Sequence, residues 1–176
     1  MIRSRSNNMR FSVGIIIVSD RASAGEREDK CIPAFRSFLD ESKYSIEHTD
    51  IVPDDAEKLT AALNKMIASD TCLILTSGGT GCTPRDITPE VTKKIIEKPT
   101  PGVDQAIRTF SAQYSSNAIF SRAVSGVAKN SFIINLPGSP KAVSEILEFL
   151  LPIIGHPLRL IAGQLKDCQK DSKQND

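Results

Sequence analysis

The chain has 176 residues, of which 40% are hydrophobic and 24% charged, and its formal net charge is +1. This length suits one folded domain, and the balanced charge gives no indication of nucleic acid or a membrane surface as a partner. No apolar run reaches the roughly 18 residues that a membrane-spanning helix needs. The four cysteines lack C-x-x-C spacing, which argues against structural zinc or a disulfide framework and favours a reducing, cytoplasmic location.

Two kinds of hydrophobic pattern alternate along the chain. Continuous β-branched runs are typical of strands buried on both faces of a parallel sheet, and apolar residues three or four apart are typical of helices packed on a sheet. The predicted strands cover residues 11–20, 44–52, 72–76 and 131–137. The predicted helical faces contain Ile32, Phe35 and Leu39, then Leu59, Leu63, Met66 and Ile67, then Val103, Ile107, Phe110 and Tyr114.

Two helix starts are predicted by a hydroxyl residue followed by proline, the usual N-cap and first-turn pair. The first pair is Thr88 and Pro89, and the second is Ser139 and Pro140. Beyond the second start, residues that break helices predict that the C-terminal helical part is interrupted. They are Pro152, Gly155 and Pro157.

Strands that alternate with helices predict an α/β fold with an open, mostly parallel sheet and right-handed crossovers. We expect the domain to cover residues 11–165, preceded by a flexible extension at residues 1–10 and followed by a polar tail at residues 166–176. Residues 1–8 and 167–176 have no apolar periodicity, so we expect them to be dispensable.

Three loops that follow predicted strands are rich in small and hydroxyl residues. They comprise residues 19–25, 76–86 and 135–140. In open parallel sheets, ligands bind beyond the carboxyl ends of the strands. We therefore expect these loops to line one cleft.

The glycine loop, residues 78–81, differs from both the P-loop and the dinucleotide-binding pattern. Its glycines permit positive φ, so successive N–H groups can turn towards an anion, and neighbouring hydroxyls add donors. Arg85 suits phosphate and Asp86 suits Mg²⁺, which prefers carboxylates together with phosphate oxygens. The pattern predicts a nucleotide or phosphate site, and a simple tight turn after a strand is the alternative.

The segment TSGGTGCTPRDITPE closely resembles the signature of the molybdopterin-binding MogA family, which includes the gephyrin G domain. Five further segments resemble that family in the same order, so the resemblance extends from about Val13 to residue 163. They are VSDRASAGEREDKCIPA (18–34), VPDD (52–55), PGVDQAIR (101–108), SRAVSGV (121–127) and NLPGSPKA (135–142).

The resemblance implies a three-layer α/β sandwich with a mostly parallel central sheet, the MogA/MoaB-like molybdopterin-binding fold, assembled as a homotrimer. It also implies molybdopterin adenylyltransferase activity in molybdenum cofactor biosynthesis. Such an enzyme moves AMP from ATP onto the terminal phosphate of molybdopterin and releases pyrophosphate. Mg²⁺ is the implied cofactor, and a molybdenum-insertion enzyme is the implied partner.

Residue roles follow from the positions that match the family's motifs. Asp54 and Asp86 are expected to be catalytic, as Mg²⁺ ligands or as groups that position substrate. Nucleotide and phosphate binding is expected from Ser19, Asp20, Gly78, Gly79, Thr80 and Gly81. Molybdopterin binding is expected from Lys30, Ser121, Arg122, Asn135, Pro137, Gly138 and Ser139.

Several of these residues have structural alternatives. Asp54 stands three residues before Glu57 at a helix start, which is a capping-box arrangement, and Asp55 is the second choice for either role. Ser19 and Asp20 could form a polar turn. Lys30 could lie at a solvated helix start, and Ser121 and Arg122 could end an exposed strand.

Three other functions remain open from the sequence. A MoaB-like paralogue would share the fold and the GGTG loop, although the DKCIPA and PRD segments are more MogA-like. A binding or scaffold module is the alternative outside enzymes, as the likeness to gephyrin permits. A generic nucleotide-binding protein is the weakest alternative, because the usual fingerprint is absent.

Overall fold

The computed structural model describes residues 10–163, and within them six strands form one sheet. The strands are β1 (Phe11–Val18), β2 (Tyr44–Val52), β3 (Leu73–Ser77), β4 (Lys98–Pro99), β5 (Ser125–Ala128) and β6 (Ser131–Leu136). Their order in the sheet is β2-β1-β3-β6-β5-β4. The first four strands in this order are parallel to one another. β5 pairs antiparallel with β6, and β4 pairs antiparallel with β5. The predicted tail and nearly all of the predicted extension lie outside the described residues.

Helices cover both faces of this sheet. They are α1 (Asp20–Ser23), α2 (Cys31–Phe38), α3 (Ala56–Ala68), α4 (Thr88–Ile95), α5 (Pro101–Ser111) and α6 (Pro140–Ile161), with a 3₁₀ helix at Ser116–Phe120. One core forms between the sheet and α2, α5 and α6, and the other between the sheet and α3 and α4. The predicted three-layer α/β fold is confirmed.

The central strands are buried on both faces, as their β-branched runs predict. In β1, Val13 and Ile15 belong to one core and Ile16 to the other, and all three are fully buried. This alternation follows from the two-residue period of a strand. The burial explains why the strand sequence is almost entirely apolar.

The helical faces are predicted correctly in α3 but only in part around α5. Leu59, Leu63, Met66 and Ile67 are buried on α3. The helix α5 ends at Ser111, and Tyr114 beyond it is 55% exposed, so the prediction that Tyr114 belongs to the buried face is wrong.

The C-terminal helix is continuous, so the predicted interruption is wrong. α6 runs from Pro140 to Ile161 with Pro152 and Pro157 inside it. An internal proline costs about 3 kcal/mol through a lost hydrogen bond and a clash. Burial of a row of apolar side chains along α6 offsets that cost, because each contributes about 1.5–3 kcal/mol. The row consists of Val143, Ile146, Leu147, Leu150, Ile154 and Leu158.

The two predicted helix starts differ in detail from the structure. Ser139 holds the N-cap position of α6, with Pro140 next, but its side chain makes no capping hydrogen bond. At α4 the N-cap is Ile87 rather than Thr88, so that prediction is wrong by one residue. None of the helices within residues 10–163 is long and apolar enough to cross a bilayer.

Candidate active site

A cleft of 330 Å³ opens where β1, β3 and β6 end. Ser19 follows β1, the glycine loop follows β3, and Gly138 follows β6, and all of them line the cleft. The sequence prediction that these loops converge is confirmed for these residues. The site lies beyond the carboxyl ends of parallel strands, where ligands bind in such sheets.

The glycine loop has a backbone conformation that requires glycine. Gly78 and Gly79 have φ of +107° and +63°. A Cβ atom at Gly78 would overlap the Val18 carbonyl oxygen, so the loop can approach β1 only without a side chain. The Thr88 hydroxyl donates to the Gly78 carbonyl at 2.9 Å, and the Thr88 N–H donates to the Gly79 carbonyl at 3.1 Å. Thr88 therefore ties the loop to α4 instead of capping the helix.

Two donors of this loop have no partner within the described part of the chain. Among residues 10–163, the backbone N–H groups of Gly79 and Thr80 donate to no protein acceptor. Both residues line the cleft. Adjacent free N–H groups in a left-handed turn can bind an anion.

Asp54 does not cap the helix that follows it, so the capping alternative is wrong. Asp55 is the N-cap of α3, and its Oδ1 accepts from the Lys58 N–H at 2.9 Å. Asp54 lines the cleft, with Oδ1 only 3.1 Å from the Cβ position of Gly79. Burial and the negative charges of Asp20 and Asp86 raise the pKa of Asp54. The hydrogen bond from the Asp20 N–H lowers that pKa but does not outweigh them.

Asp86 stands at the other side of the glycine loop. Its Oδ2 accepts from the Thr83 N–H at 2.7 Å and from the Thr83 hydroxyl at 2.6 Å. The same oxygen is 3.0 Å from the Cβ position of Gly81. Burial alone would raise the pKa of Asp86, but hydrogen bonds from Thr83 and Gly81 and the charge of Arg122 outweigh burial and lower it. These hydrogen bonds and the charge of Arg122 favour the ionised form of the carboxylate.

Asp20 and Arg85 form an ion pair outside the lining of the cleft. The Arg85 guanidinium binds both carboxylate oxygens of Asp20, with Nη2 at 2.7 and 2.6 Å and Nε at 3.1 Å. The hydrogen bond from Arg85 and a second one from the Asp54 N–H lower the pKa of Asp20. Neither Asp20 nor Arg85 lines the cleft, and the charge of each is paired with that of the other.

Arg122 also lies outside the cleft lining, in contrast to its predicted contact with molybdopterin. Its Nε donates to the Gly81 carbonyl at 2.6 Å and its Nη2 to the Asp86 carbonyl at 2.7 Å. Its Nη1 donates to the Glu90 carboxylate. All three guanidinium nitrogens are therefore bonded to the protein.

A second, smaller cavity of 170 Å³ lies between α5, the 3₁₀ helix, the end of β6 and α6. Ser121, Asn135 and Pro137 line it, three of the residues predicted to bind molybdopterin. Pro137 faces this cavity and Gly138 faces the first cleft, so the β6–α6 loop stands between them. Ser139 lines neither space.

Asn135 is bonded into the fold rather than left open for a ligand. It is 1% exposed, and its Nδ2 donates to the hydroxyls of Thr76 and Thr92, each at 3.0 Å. Its Oδ1 accepts from the Val124 N–H at 3.4 Å. Asn135 therefore joins β6 to β3 and α4 and fixes the wall of the second cavity.

Lys30 lines the first cleft and not the second. The sequence did not single out Arg27 or Cys31, which line the same cleft. Cys31 is buried at the start of α2, where its thiol contacts the Gly138 carbonyl at 3.7 Å and burial raises the pKa of the thiol. Cys31 could have been predicted from its position at the start of a helix that follows one of the cleft loops. Arg27 lies in an irregular segment, where no sequence pattern predicts a site residue.

The residues around the glycine loop fit a magnesium ion. Within residues 10–163 no group of three or more His, Cys, Asp or Glu side chains forms a metal cage. Mg²⁺ does not require one, because it commonly takes one or two carboxylates and completes its shell with phosphate oxygens and water. Asp54 and Asp86 flank the glycine loop and supply that donor set.

Comparisons with known proteins agree with this fold. A family model described as a probable molybdopterin binding domain matches residues 14–156. A molybdopterin adenylyltransferase of Helicobacter pylori strain J99 is 42% identical over 167 residues, covering 92% of this chain and 94% of that protein.

Solved structures of two named proteins share the fold. The molybdopterin biosynthesis enzyme MoaB of Thermus thermophilus gives a TM-score of 0.82 at 38% identity, covering 87% of this chain and 97% of that one. A structure named MogA gives a TM-score of 0.81 at 37% identity, covering 86% and 99%. The family model matches most of this chain. The chain therefore belongs to the molybdopterin-binding domain family, as its resemblance to MogA predicts.

Proposed function

We propose that this protein is a molybdopterin adenylyltransferase, which moves AMP from ATP onto the terminal phosphate of molybdopterin. The observation that carries the proposal is the glycine loop with free N–H groups between two carboxylates. A phosphate oxygen of molybdopterin attacks the α-phosphorus of ATP, and the bond from that phosphorus to the pyrophosphate oxygen breaks. A phosphate monoester is already anionic at neutral pH, so no general base is needed; positioning and charge stabilisation suffice.

We assign the phosphates of ATP to the glycine loop. The N–H groups of Gly79 and Thr80 are the free donors there, and a phosphate oxygen is the acceptor that fits them. Ser19 lines the same cleft, and its hydroxyl oxygen already accepts from the Ala22 N–H at 3.3 Å. The Ser19 proton is therefore available to donate to phosphate.

Asp54 and Asp86 are the residues that would hold Mg²⁺. When bound, the ion supplies positive charge to the phosphates of ATP and the leaving pyrophosphate. The two carboxylates lie against alternate glycines of one loop, so they can share a cation near the phosphate donors. Burial is the main cause of the raised pKa of Asp54, and the negative charges of Asp20 and Asp86 add to it.

Lys30 and Arg27 line the cleft that contains the glycine loop. Two substrates rich in phosphate repel each other, so positively charged side chains at their meeting point favour the complex. We propose that Lys30 acts where the terminal phosphate of molybdopterin meets ATP.

The second cavity is the space that we propose for the pterin. Ser121 and Pro137 line it, and most of its wall is apolar, including Ile107 and Ile146. A flat heterocycle suits a small, mainly apolar space with a few polar groups. Adjacent residues of the β6–α6 loop line the two spaces, Pro137 this cavity and Gly138 the cleft, so we propose that one molybdopterin places its ring in the cavity and its phosphate in the cleft.

We further propose a homotrimer in the cytoplasm that passes its adenylylated product to a molybdenum-insertion enzyme. Three large apolar side chains near the end of α5 are solvent-exposed in the isolated chain, which supports self-association. They are Tyr114, Ile119 and Phe120, exposed by 55%, 60% and 63%.

A MoaB-like role is the second candidate, because the Thermus structure of that name matches the fold as well as the structure named MogA does. The two candidates differ in the reaction. Purified protein is incubated with ATP, Mg²⁺ and molybdopterin, and pyrophosphate is measured over time. We expect release only when all three are present and none with an ATP analogue whose α,β bridge is methylene. Molybdopterin binding without pyrophosphate release would favour the second candidate.

A further inference from the structure

Arg122 connects the two ends of the segment that carries Asp86. Its backbone N–H donates to the Thr80 carbonyl at 3.0 Å, and its Nε donates to the Gly81 carbonyl at 2.6 Å. Its Nη2 reaches across to the Asp86 carbonyl at 2.7 Å. One side chain therefore holds together the glycine loop and the residue that we assign to Mg²⁺.

The guanidinium of Arg122 is itself held in place. Its third nitrogen, Nη1, pairs with the carboxylate of Glu90 in the first turn of α4. A planar guanidinium with donors on three nitrogens can bind three acceptors at once in fixed directions. The Arg122 side chain is 35% exposed and lines neither cavity.

The segment between Gly81 and Asp86 is held by side-chain contacts rather than by regular secondary structure. Residues 82–85 are exposed and belong to no helix or strand. The Asp86 carboxylate bonds to Thr83 and Gly81, which belong to the same segment. Contacts also reach beyond the segment. Arg85 pairs with Asp20, and the Cys82 thiol donates to the Phe120 carbonyl at 3.5 Å. Arg122 differs from both, because it bonds to the carbonyls of Gly81 and Asp86 at the two ends of the segment.

We propose that Arg122 is a positioning residue, which aligns the Asp86 carboxylate with the free N–H groups of the glycine loop. The proposal rests on the proposed adenylyl transfer, in which both groups act on the same phosphates. It replaces the role that the sequence predicts, a direct contact between Arg122 and molybdopterin. The two roles require different properties of the side chain. Positioning requires the planar guanidinium with its several donors, whereas attraction of an anionic substrate requires only positive charge.

Arg122→Lys separates the two roles. Lysine keeps the charge but cannot bind the Gly81 and Asp86 carbonyls and Glu90 together. We expect Arg122→Lys and Arg122→Ala to raise the Mg²⁺ concentration for half-maximal turnover alike, by about 10–100-fold, as for other groups that orient metal ligands. The KM for molybdopterin should stay at the wild-type value in both variants.

A binding measurement makes the test independent of turnover. Mn²⁺ is titrated into the protein with ATP and followed by electron paramagnetic resonance, and hydrogen exchange is measured over residues 79–86. Both Arg122 variants should bind Mn²⁺ more weakly by the same factor of about 10–100 and exchange faster in this segment. If the wild type showed no adenylyl transfer, these two readouts would still decide whether Arg122 positions the loop.

Two further variants guard against loss of folding. Arg10 precedes the amino end of β1, whereas the cleft lies beyond the carboxyl end of that strand, and its side chain donates to the Glu41 carbonyl. Arg10→Ala should therefore leave Mn²⁺ affinity unchanged. Glu90→Ala keeps Arg122 but removes the partner of its Nη1, and we expect a smaller weakening of Mn²⁺ binding. Wild-type Mn²⁺ affinity in Arg122→Lys, or a raised KM for molybdopterin with unchanged Mn²⁺ affinity in Arg122→Ala, would overturn the proposal.

Discussion

Asp20 and Asp54 exchange hydrogen bonds between the ends of two neighbouring strands. The Asp20 N–H donates to Asp54 Oδ2 at 3.1 Å, and the Asp54 N–H donates to Asp20 Oδ1 at 3.0 Å. Arg85 neutralises Asp20, so Asp54 carries the negative charge of this pair into the cleft. The arrangement separates the structural carboxylate from the one that can bind a cation.

Asp54→Asn should reduce adenylyl transfer on the order of 100-fold, the usual effect of removing one fixed electrostatic group from an active site. The amide oxygen of asparagine can still accept from the Asp20 N–H, so the melting temperature should be close to that of the wild type. Turnover is measured at saturating Mg²⁺. Asp55→Asn is the matched control, because asparagine caps a helix as well as aspartate does and turnover should persist. Normal turnover in Asp54→Asn would show that its charge is not needed.

Gly79→Ala should weaken ATP binding more than its loss of stability explains. Its φ of +63° costs an alanine about 1 kcal/mol, and the new methyl would overlap the Thr88 hydroxyl and lie 3.1 Å from Asp54 Oδ1. Gly25→Ala controls for backbone strain alone, since Gly25 has φ of +73° and no atom within 4 Å of its Cβ position. Calorimetric titration of ATP with Mg²⁺ below both melting points should show weaker binding only in Gly79→Ala. Equal ATP affinity in the two folded variants would exclude a phosphate contact at Gly79.

Pro152→Ala should stabilise the protein, by up to about 3 kcal/mol in the free energy of unfolding. Pro152 is exposed inside α6, and alanine restores an N–H that can donate to the Glu148 carbonyl. Urea denaturation measures the change. Pro140→Ala is the control, because Pro140 begins the helix and blocks no hydrogen bond there. A Pro152→Ala variant no more stable than the wild type would mean that α6 is adapted to its proline.

The contribution of Asp104 to the free energy of unfolding should fall as the pH rises above the usual pKa of an aspartate, 3.8. Burial raises the pKa of Asp104 above its usual 3.8, against hydrogen bonds from Ser125 and the charge of Arg108. The folded state therefore binds this proton more tightly than the unfolded state, so the contribution is present at low pH and is lost as the pH rises through the raised pKa. The stability of the wild type relative to Asp104→Asn should decrease across that window and level off above it.

Urea denaturation of both proteins from about pH 3.5 to about pH 7 measures this difference. Asp40 provides a control of opposite sign, because hydrogen bonds from Ser42 lower its pKa. The stability of the wild type relative to Asp40→Asn should therefore increase with pH. A difference for Asp104→Asn that is constant, or that rises with pH, would contradict the assignment.

The parallel strands could be predicted because their burial leaves a direct trace in the sequence. Strands covered on both faces are continuous apolar runs, as in β1 and β6. β4 and β5 have two and four residues and contain Pro99 and Gly126, so no run marks them. The proline pattern in α6 was misleading because local propensity does not include the burial of that helix against the sheet.

The position of the site could be predicted, but the direction of its side chains could not. Strand ends and glycines locate the cleft. Whether Asp54 or Asp55 caps the helix depends on the residue at which α3 begins, and the sequence pattern does not fix that start to within one residue. Arg122 shows the same limit, because a sequence motif does not reveal whether its guanidinium faces a ligand or the carbonyls of Gly81 and Asp86.

The central claim is the transfer of AMP to molybdopterin at a site that contains Asp86. The wild type and Asp86→Asn are incubated with ATP, Mg²⁺ and molybdopterin, and the pterin product is analysed by mass spectrometry. We expect the wild type to form molybdopterin that carries one added adenylyl group for each pyrophosphate released, and the folded variant to form it at least about 100-fold more slowly. Unmodified molybdopterin after incubation with the wild type, or equal rates for the two proteins, would contradict the claim.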